Sequence, residues 1–277
     1  MINVMYCGNS KVFDGLLISL LSMVKKTKEA VHAYVLTMDL TEIDPKYTPI
    51  NDKQISYLLD MVHEYNTDSL VTKVDVKELF MQEMGNNKNM YSMYTPYCML
   101  RLLADKIDVI PDKILYLDTD TVCKEDVKEL FDIDVSNHEY GAALDYLGWF
   151  FMRFRAKNYI NSGVLLLNMK MIRETNLFGK CRELCLTKKL GFPDQDALNM
   201  LVKKKLVIDS KFNRQRKAKD NTVIQHFCNG LTFKYIIPKL YKVKPWEVEK
   251  VRNVLHIHIY DDLLDEYQQR MKAFNNN

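Results

Sequence analysis

Lys113-Ile114-Leu115-Tyr116-Leu117-Asp118-Thr119-Asp120-Thr121-Val122 decides the fold of this chain. Behind Pro111 and Asp112, a short apolar run predicts a buried strand whose carboxyl tip carries two acids. Side chains alternate along an extended segment, so this reading sends Asp118 and Asp120 to one side and Thr119 to the other. Two carboxylates aimed at one point repel unless a cation lies between them, and hard oxygen ligands suit magnesium or manganese. At the carboxyl end of a strand in an open α/β sheet, such a cation faces the crevice where ligands bind. Asp, Thr and Asp behind a strand are also ordinary turn and cap residues, and Glu125-Asp126 suits the first turn of a following helix. The pair alone therefore leaves both readings open.

Upstream of this stretch, the pattern predicts a strand over 2–7, a turn at Gly8-Asn9-Ser10 and an amphipathic helix over 12–26. A strand over 30–38, a helix over 52–65 and a strand over 70–76 follow. Strand, polar turn and helix open a βαβ nucleotide-binding unit. Gly-x-Gly-x-x-Gly is missing, which argues against a dinucleotide. A helix is expected over 97–107, carrying Arg101 either on its wet face or turned toward the carboxylates, where it could pair with an acid or a phosphate.

Downstream, 140–144 reads as a short strand ending in Asp145, and 159–168 as a strongly apolar strand. One helix is expected over 169–189, and another opens at Phe192 with Asp194 as its N-cap. Asp194, Gln195 and Asp196 in a row also present three polar tips to a cleft. His226 sits in a short strand over 223–227, where a lone histidine is ordinarily a satisfied core residue. The tail from 261 to 277 reads as a helix.

Length and composition narrow the classes. With 277 residues and 47% hydrophobic residues, the chain can bury a core as one large domain or a domain with appendages. A net charge of +3 is too mild to argue for nucleic acid, although Arg214, Arg216, Lys217 and Lys219 read as an anion-binding loop. Six cysteines are scattered through the chain, several in apolar stretches, which suggests buried thiols more than a disulfide framework. The first residues run directly into a strand with no leader pattern, and no apolar run reaches membrane-spanning length, so a cytoplasmic protein is expected.

Several segments, in this order, resemble the retaining glycosyltransferases of family 8, the group containing bacterial lipopolysaccharide galactosyl- and glucosyltransferases and glycogenin. The matching pieces are Tyr116 to Asp120 for the family's Asp-x-Asp and Asn161-Ser162-Gly163-Val164 for its Asn-Ala-Gly-Val strand. Asp194-Gln195-Asp196-Ala197-Leu198-Asn199 continues the series, and Arg101-Leu102, Asp145, His226 and Lys244-Pro245-Trp246 add to it. The resemblance implies a GT-A fold, α/β with a mainly parallel mixed sheet flanked by helices. It covers 1–250, with 251–277 as an extension packed on or trailing that domain. It implies a nucleotide-diphosphate-sugar donor, UDP-linked, a hexose (galactose or glucose) as the moved group and a saccharide or glycolipid acceptor. Manganese is implied as the ion, with magnesium as alternative. Asp118, Asp120 and His226 match the metal ligands, and Lys244 matches a residue that meets the leaving diphosphate. Asp145, Asn161, Asp194 and Gln195 match positions around the donor sugar, and Arg101 the arginine near sugar and diphosphate. Cys7, Gly8, Asn9, Ser10 and Thr119 fall at donor-binding positions. The family points to bacterial surface polysaccharide or lipopolysaccharide synthesis, with peripheral contact to the inner face of a membrane as a further expectation. Oligomeric state is not implied.

One departure stands out. The family's first turn usually carries an acidic pair whose first member helps to read uracil; here Gly8 has no side chain to read a base. Two rivals belong to other classes. Asp118-Thr119-Asp120-Thr121-Val122 also satisfies the nucleophile motif of haloacid-dehalogenase-type magnesium phosphatases, with 255–262 as a later strand ending in paired acids. That motif normally opens its fold, whereas here strand–helix units precede it. The other rival is a sugar-nucleotide binding protein without turnover.

Overall fold

The central strands of this chain are apolar on both sides because both faces of the sheet are covered there. In a computed structural model, described here for residues 1–92, 94–148, 158–228, 230–234 and 237–276, β1 (Ile2–Cys7), β2 (Val31–Thr37), β3 (Leu70–Asp75), β4 (Lys113–Leu117), β6 (Tyr140–Leu144), β7 (Ile160–Asn168) and β8 (Lys205–Val207) form one sheet in the order β3-β2-β1-β4-β7-β6-β8. The first four run parallel, β7 is antiparallel to both β4 and β6, and β8 returns parallel to β6. Alternation along the strands divides the core. Val4, Tyr6, Leu115, Leu117, Val164 and Leu166 face one side, and Met5, Tyr34, Ile114, Tyr116, Leu165 and Leu167 face the other.

The first helix, α1 (Phe13–Val24), covers one face and is buried almost all round. It also carries two serines inward, and these fasten a small second ribbon to the sheet. Ser19 bonds both Tyr6 Oη at 3.1 Å and Thr121 Oγ1 at 3.0 Å, and Ser22 Oγ accepts from the Cys123 N–H at 2.9 Å. The ribbon pairs β5 (Thr121–Cys123) with β9 (Ile224–His226) antiparallel, Thr121 opposite His226. A further antiparallel pair, β10 (Gly230–Lys234) with β11 (Ile237–Tyr241), follows.

Several elements differ from expectation for local reasons. Asp118 and Asp120 are not on an extended strand. β4 stops at Leu117, and Thr121 donates its N–H to the Asp118 carbonyl at 3.2 Å, so the two acids sit on a tight turn between β4 and β5. The 97–107 segment is a 3-10 helix, Pro96–Lys106, with Arg101 buried inside it. A short helix, Lys77–Met84, lies where none was expected. The long helix over 169–189 is two, Met169–Thr175 and Leu177–Thr187, broken at Asn176, whose φ of 53° is left-handed. Asp194 does not cap its helix: Phe192 is the N-cap of Pro193–Leu201, and the Asp196 carboxylate accepts the N–H groups of Gly191 and Phe192 at 3.1 and 3.0 Å. Residues 255–262 hold no strand, and Asp261 opens the C-terminal helix Asp261–Asn276, paired with Arg252 and His258. That helix packs on α1, with the Tyr267 hydroxyl donating to Asp14. All six cysteines are free. Residues 149–157, aromatic and basic in sequence, lie outside the described residues.

Candidate active site

The end of β4 and the middle of β7 create the site. Asp118 donates its N–H to the Gly163 carbonyl at 2.8 Å, one step beyond the Leu117–Val164 pair. From there the turn carries Asp120 to the start of the β5–β9 ribbon, where the Thr121–His226 register delivers the histidine and the Asp120 carbonyl takes the Phe227 N–H at 2.9 Å. Ligating atoms of Asp118, Asp120 and His226 all lie within 4.8 Å of one another. His226 Nε2 is 3.1 Å from Asp120 Oδ1 and 3.7 Å from Asp118 Oδ2, and the ring is 4% exposed. Gly163 makes room for it, because a Cβ there would lie 2.2 Å from the His226 ring and 2.9 Å from Asp118 Oδ2. Two carboxylates and an imidazole around one point form a mixed oxygen–nitrogen donor set that suits a divalent ion such as manganese.

Lys244 reaches the same point. Its ammonium pairs with Asp120 and donates to the Phe227 carbonyl at 3.1 Å. Two residues on, Trp246 lies against Gly15 of α1, where a Cβ would come within 2.5 Å of both the indole and the Thr119 carbonyl. The Lys-Pro-Trp segment is thus anchored by its tryptophan while the lysine turns inward. Burial opposes ionisation of Asp120, but Lys244 and His226 outweigh it and hold the carboxyl well below its usual range. Burial likewise opposes charge on His226 and Lys244, and the Asp120 carboxylate raises both.

A second group of polar side chains adjoins the first. Asp145 Oδ2 accepts from Asn161 Nδ2 at 2.8 Å and from Gln195 Nε2 at 3.3 Å. Gln195 Oε1 takes the Ser162 N–H at 2.9 Å, and the Ser162 hydroxyl donates to Asp194 at 3.0 Å. Arg101 ties the two groups together. It donates to Asp118 Oδ1 at 2.8 Å, lies 3.4 Å from Asp194 Oδ2, bonds the Ser162 and Cys98 carbonyls, and stacks 3.8 Å over the Tyr116 ring. At 3% exposure it holds the acids in place.

The first turn lies beside these groups through Cys7. Burial pushes its thiol up, and the thiol is close enough to feel the charges of Arg101, Asp118 and Asp194. Gly8 donates its N–H to Leu36, and a Cβ on it would meet Val12 Cγ2 at 2.3 Å, so a side chain here would require Val12 to move. Asn9 caps the short 3-10 helix Ser10–Val12, and the Ser10 hydroxyl bonds Thr48. Thr119 occupies the acid turn, half-buried. Three residues escaped sequence reasoning. Ser162 stands where the resemblance has alanine, Gly163 belongs to the matched motif without a role assigned to it, and Asn213, 1% exposed, bridges Asn161 and His226. Nothing local marks Asn213, which follows an apolar Phe212 at the edge of a basic loop.

A helix-flanked, mostly parallel sheet with a carboxylate turn beside its central strand defines the GT-A architecture of nucleotide-sugar transferases. The solved galactosyltransferase LgtC, determined with donor and acceptor sugar analogs, superposes with a TM-score of 0.68 over 96% of each chain at 16% identity. The bifunctional glycosyltransferase WbbM gives 0.68 over 98% of this chain and 51% of its own, at 16% identity. These likenesses carry the fold. The family model for glycosyl transferase family 8 matches residues 3–247, and the chain belongs to that family. Among curated relatives, the lipopolysaccharide 1,3-galactosyltransferase of Salmonella typhimurium is 27% identical over 205 residues, 67% of this chain and 58% of that protein. The lipopolysaccharide glucosyltransferase WaaO of Escherichia coli is 30% identical over 160 residues, 52% of this chain and 47% of its own length. The chain thus spans about half the length of these two relatives.

Proposed function

We propose that this chain moves a hexose, galactose or glucose, from a UDP-linked sugar to a saccharide or glycolipid acceptor with the anomeric configuration retained. The observation that supports this most is the meeting of two groups around Asn161–Gly163: three potential metal ligands, Asp118, Asp120 and His226, and a hydrogen-bonded belt of amides and an acid, Asp145, Asn161 and Gln195, of the chemistry that bonds sugar hydroxyls. Asp118, Asp120 and His226 would hold Mn2+, with Mg2+ the alternative. Such an ion, when bound, supplies positive charge to diphosphate oxygens.

The remaining work falls to side chains. Lys244, 19% exposed, offers a fixed ammonium to the negative charge that grows on a departing nucleoside diphosphate. Asp145, with Asn161 and Gln195 fastened to it, orients sugar hydroxyls so that the anomeric carbon meets the acceptor. Asp194 is committed to Arg101 and Ser162 and supports the belt from behind. Galactosyl and glucosyl donors and a lipopolysaccharide-type acceptor agree with the names of the Salmonella and Escherichia relatives. No described helix is long and apolar enough to cross a membrane, and work on a glycolipid would take place at the cytoplasmic surface of one. A phosphatase using Asp118 as nucleophile fits poorly, since Arg101 and Tyr116 both hold Asp118 Oδ1 and 255–262 provides no acid-bearing strand.

The test is release of nucleoside diphosphate from uridine, guanosine and thymidine sugars, with manganese, with chelator, and with Asp120→Ala. Release from a uridine hexose, lost with chelator and in the variant, is expected. Turnover of a simple aryl phosphate in magnesium, with no release from any donor, would overturn the reading.

A further inference from the structure

A chain of amides runs from Asp145 to His226, and its polarity can be worked out from its fixed ends. The Gly163 N–H can only donate, and it lies 3.0 Å from Asn161 Oδ1. This sets the Asn161 amide, turning Nδ2 toward Asp145 Oδ2 at 2.8 Å, where a carboxylate can only accept. Asn161 Oδ1 also receives Asn213 Nδ2 at 2.9 Å. Asn213 therefore turns its own Oδ1 the other way, 3.1 Å from His226 Nδ1. A carbonyl oxygen cannot donate, so the hydrogen of this bond belongs to Nδ1.

We infer that Asn213 is a positioning residue that holds His226 as the Nδ1–H tautomer and so aims the Nε2 lone pair at the point shared by Asp118 and Asp120. The inference rests on the metal site proposed above. Gly163 completes the device: the ring passes so close to its Cα that no side chain fits there, and Asn213, itself buried, grips the ring at Nδ1. A partner on the second ring nitrogen is the usual way in which a ligating histidine is oriented, and its loss typically costs about 10- to 100-fold in metal affinity. The same amide chain ends on Asp145, so the histidine is held in register with the sugar-side carboxylate.

The experiment compares Mn2+ affinity of the full chain, Asn213→Ala and Asn213→Asp, read from the electron paramagnetic resonance of free Mn2+, with thermal melts to confirm folding. Asp keeps an acceptor opposite Nδ1–H, whereas Ala removes it. Affinity is expected to fall by roughly 10- to 100-fold in Asn213→Ala and to be restored largely by Asn213→Asp. A second readout uses 15N-histidine protein loaded with diamagnetic Cd2+, in which His226 Nδ1 should carry the proton and Nε2 the metal shift. Equal affinity of Asn213→Ala and the unchanged chain, equal loss in both variants, or Nδ1 as the ligand each overturns the inference while leaving the metal site standing. No Mn2+ binding by the unchanged chain would sink the site itself, and the inference with it.

Discussion

Arg101 shows how one buried cation can fasten two acids of a site at once. Its guanidinium is buried between Asp118 and Asp194, and those acids are held at short range only because it lies between them. Removing one partner of a buried ion pair leaves uncompensated charge, which costs about 3–5 kcal/mol. Arg101→Met is therefore expected to lower unfolding free energy by about that amount in a denaturant titration. Arg101→Lys should not restore it, because a single ammonium cannot span both acids and also stack on Tyr116. An unchanged midpoint for Arg101→Met would refute this account. Sequence alone leaves Arg101 either on the wet face of a helix or turned toward the carboxylates, and the structure shows the second, in a 3-10 segment buried over most of its length. Asp118 and Asp120 were recognised as a convergent pair for the wrong geometric reason: a turn brings them together, not strand alternation. Ser162 and Asn213 were illegible because their roles depend on partners far along the chain.

At the scale of elements, regular strands were the most readable part. β1, β2, β6 and β7 carry apolar runs bounded by polar turns, and β3 shows the alternation of a half-exposed edge strand. The helices after β7 were less so. Their apolar positions continue through Asn176, so periodicity suggested one helix, while a single left-handed residue redirects the second. Asn tolerates that conformation better than most residues, and glycine better still. Asn176→Gly is expected to leave the melting temperature nearly unchanged, whereas Asn176→Val should cost about 1–3 kcal/mol through backbone strain and unwind the junction. Equal effects of the two substitutions in thermal denaturation would show that the φ of this residue is not what matters. Of the β5–β9 ribbon, β9 is legible as the short strand around His226, but its pairing with β5, which sets the position of that histidine, is not.

At the scale of the molecule, the C-terminal helix is fastened to the first two helices by charge as well as by packing. Arg270 donates to both oxygens of Glu64, at 3.0 and 2.6 Å, and to Glu266 at 2.9 Å, while Tyr57 donates to the Arg270 carbonyl at 3.0 Å. The Arg270 hydrogen bond holds the Glu64 carboxyl below its usual 4.5. A depressed carboxyl stabilises the folded state above the unfolded value and loses that contribution as pH falls through the folded one. Amides of 261–276 should therefore exchange faster relative to the β4 core as solution is acidified through that range. Glu64→Gln should already exchange faster at neutral pH and change less on acidification; the effect is modest because Glu64 is more than half exposed. Acid-independent protection of this helix would refute the assignment.

The ribbon that pairs Thr121 with His226 also bears on how the protein is made. Asp118 and Asp120 leave the ribosome well before His226 and Lys244, and the cluster of the four side chains cannot form until the later residues are translated and β9 has docked beside β5. Pairing over so long a stretch of chain forms late and slowly. A nascent or truncated product ending before residue 226 would carry the Asp-x-Asp signature without the imidazole and ammonium that complete it. Completion of the cluster is thereby tied to near-completion of synthesis, so the strand tip and turn that mark the chain in sequence precede the groups that close it.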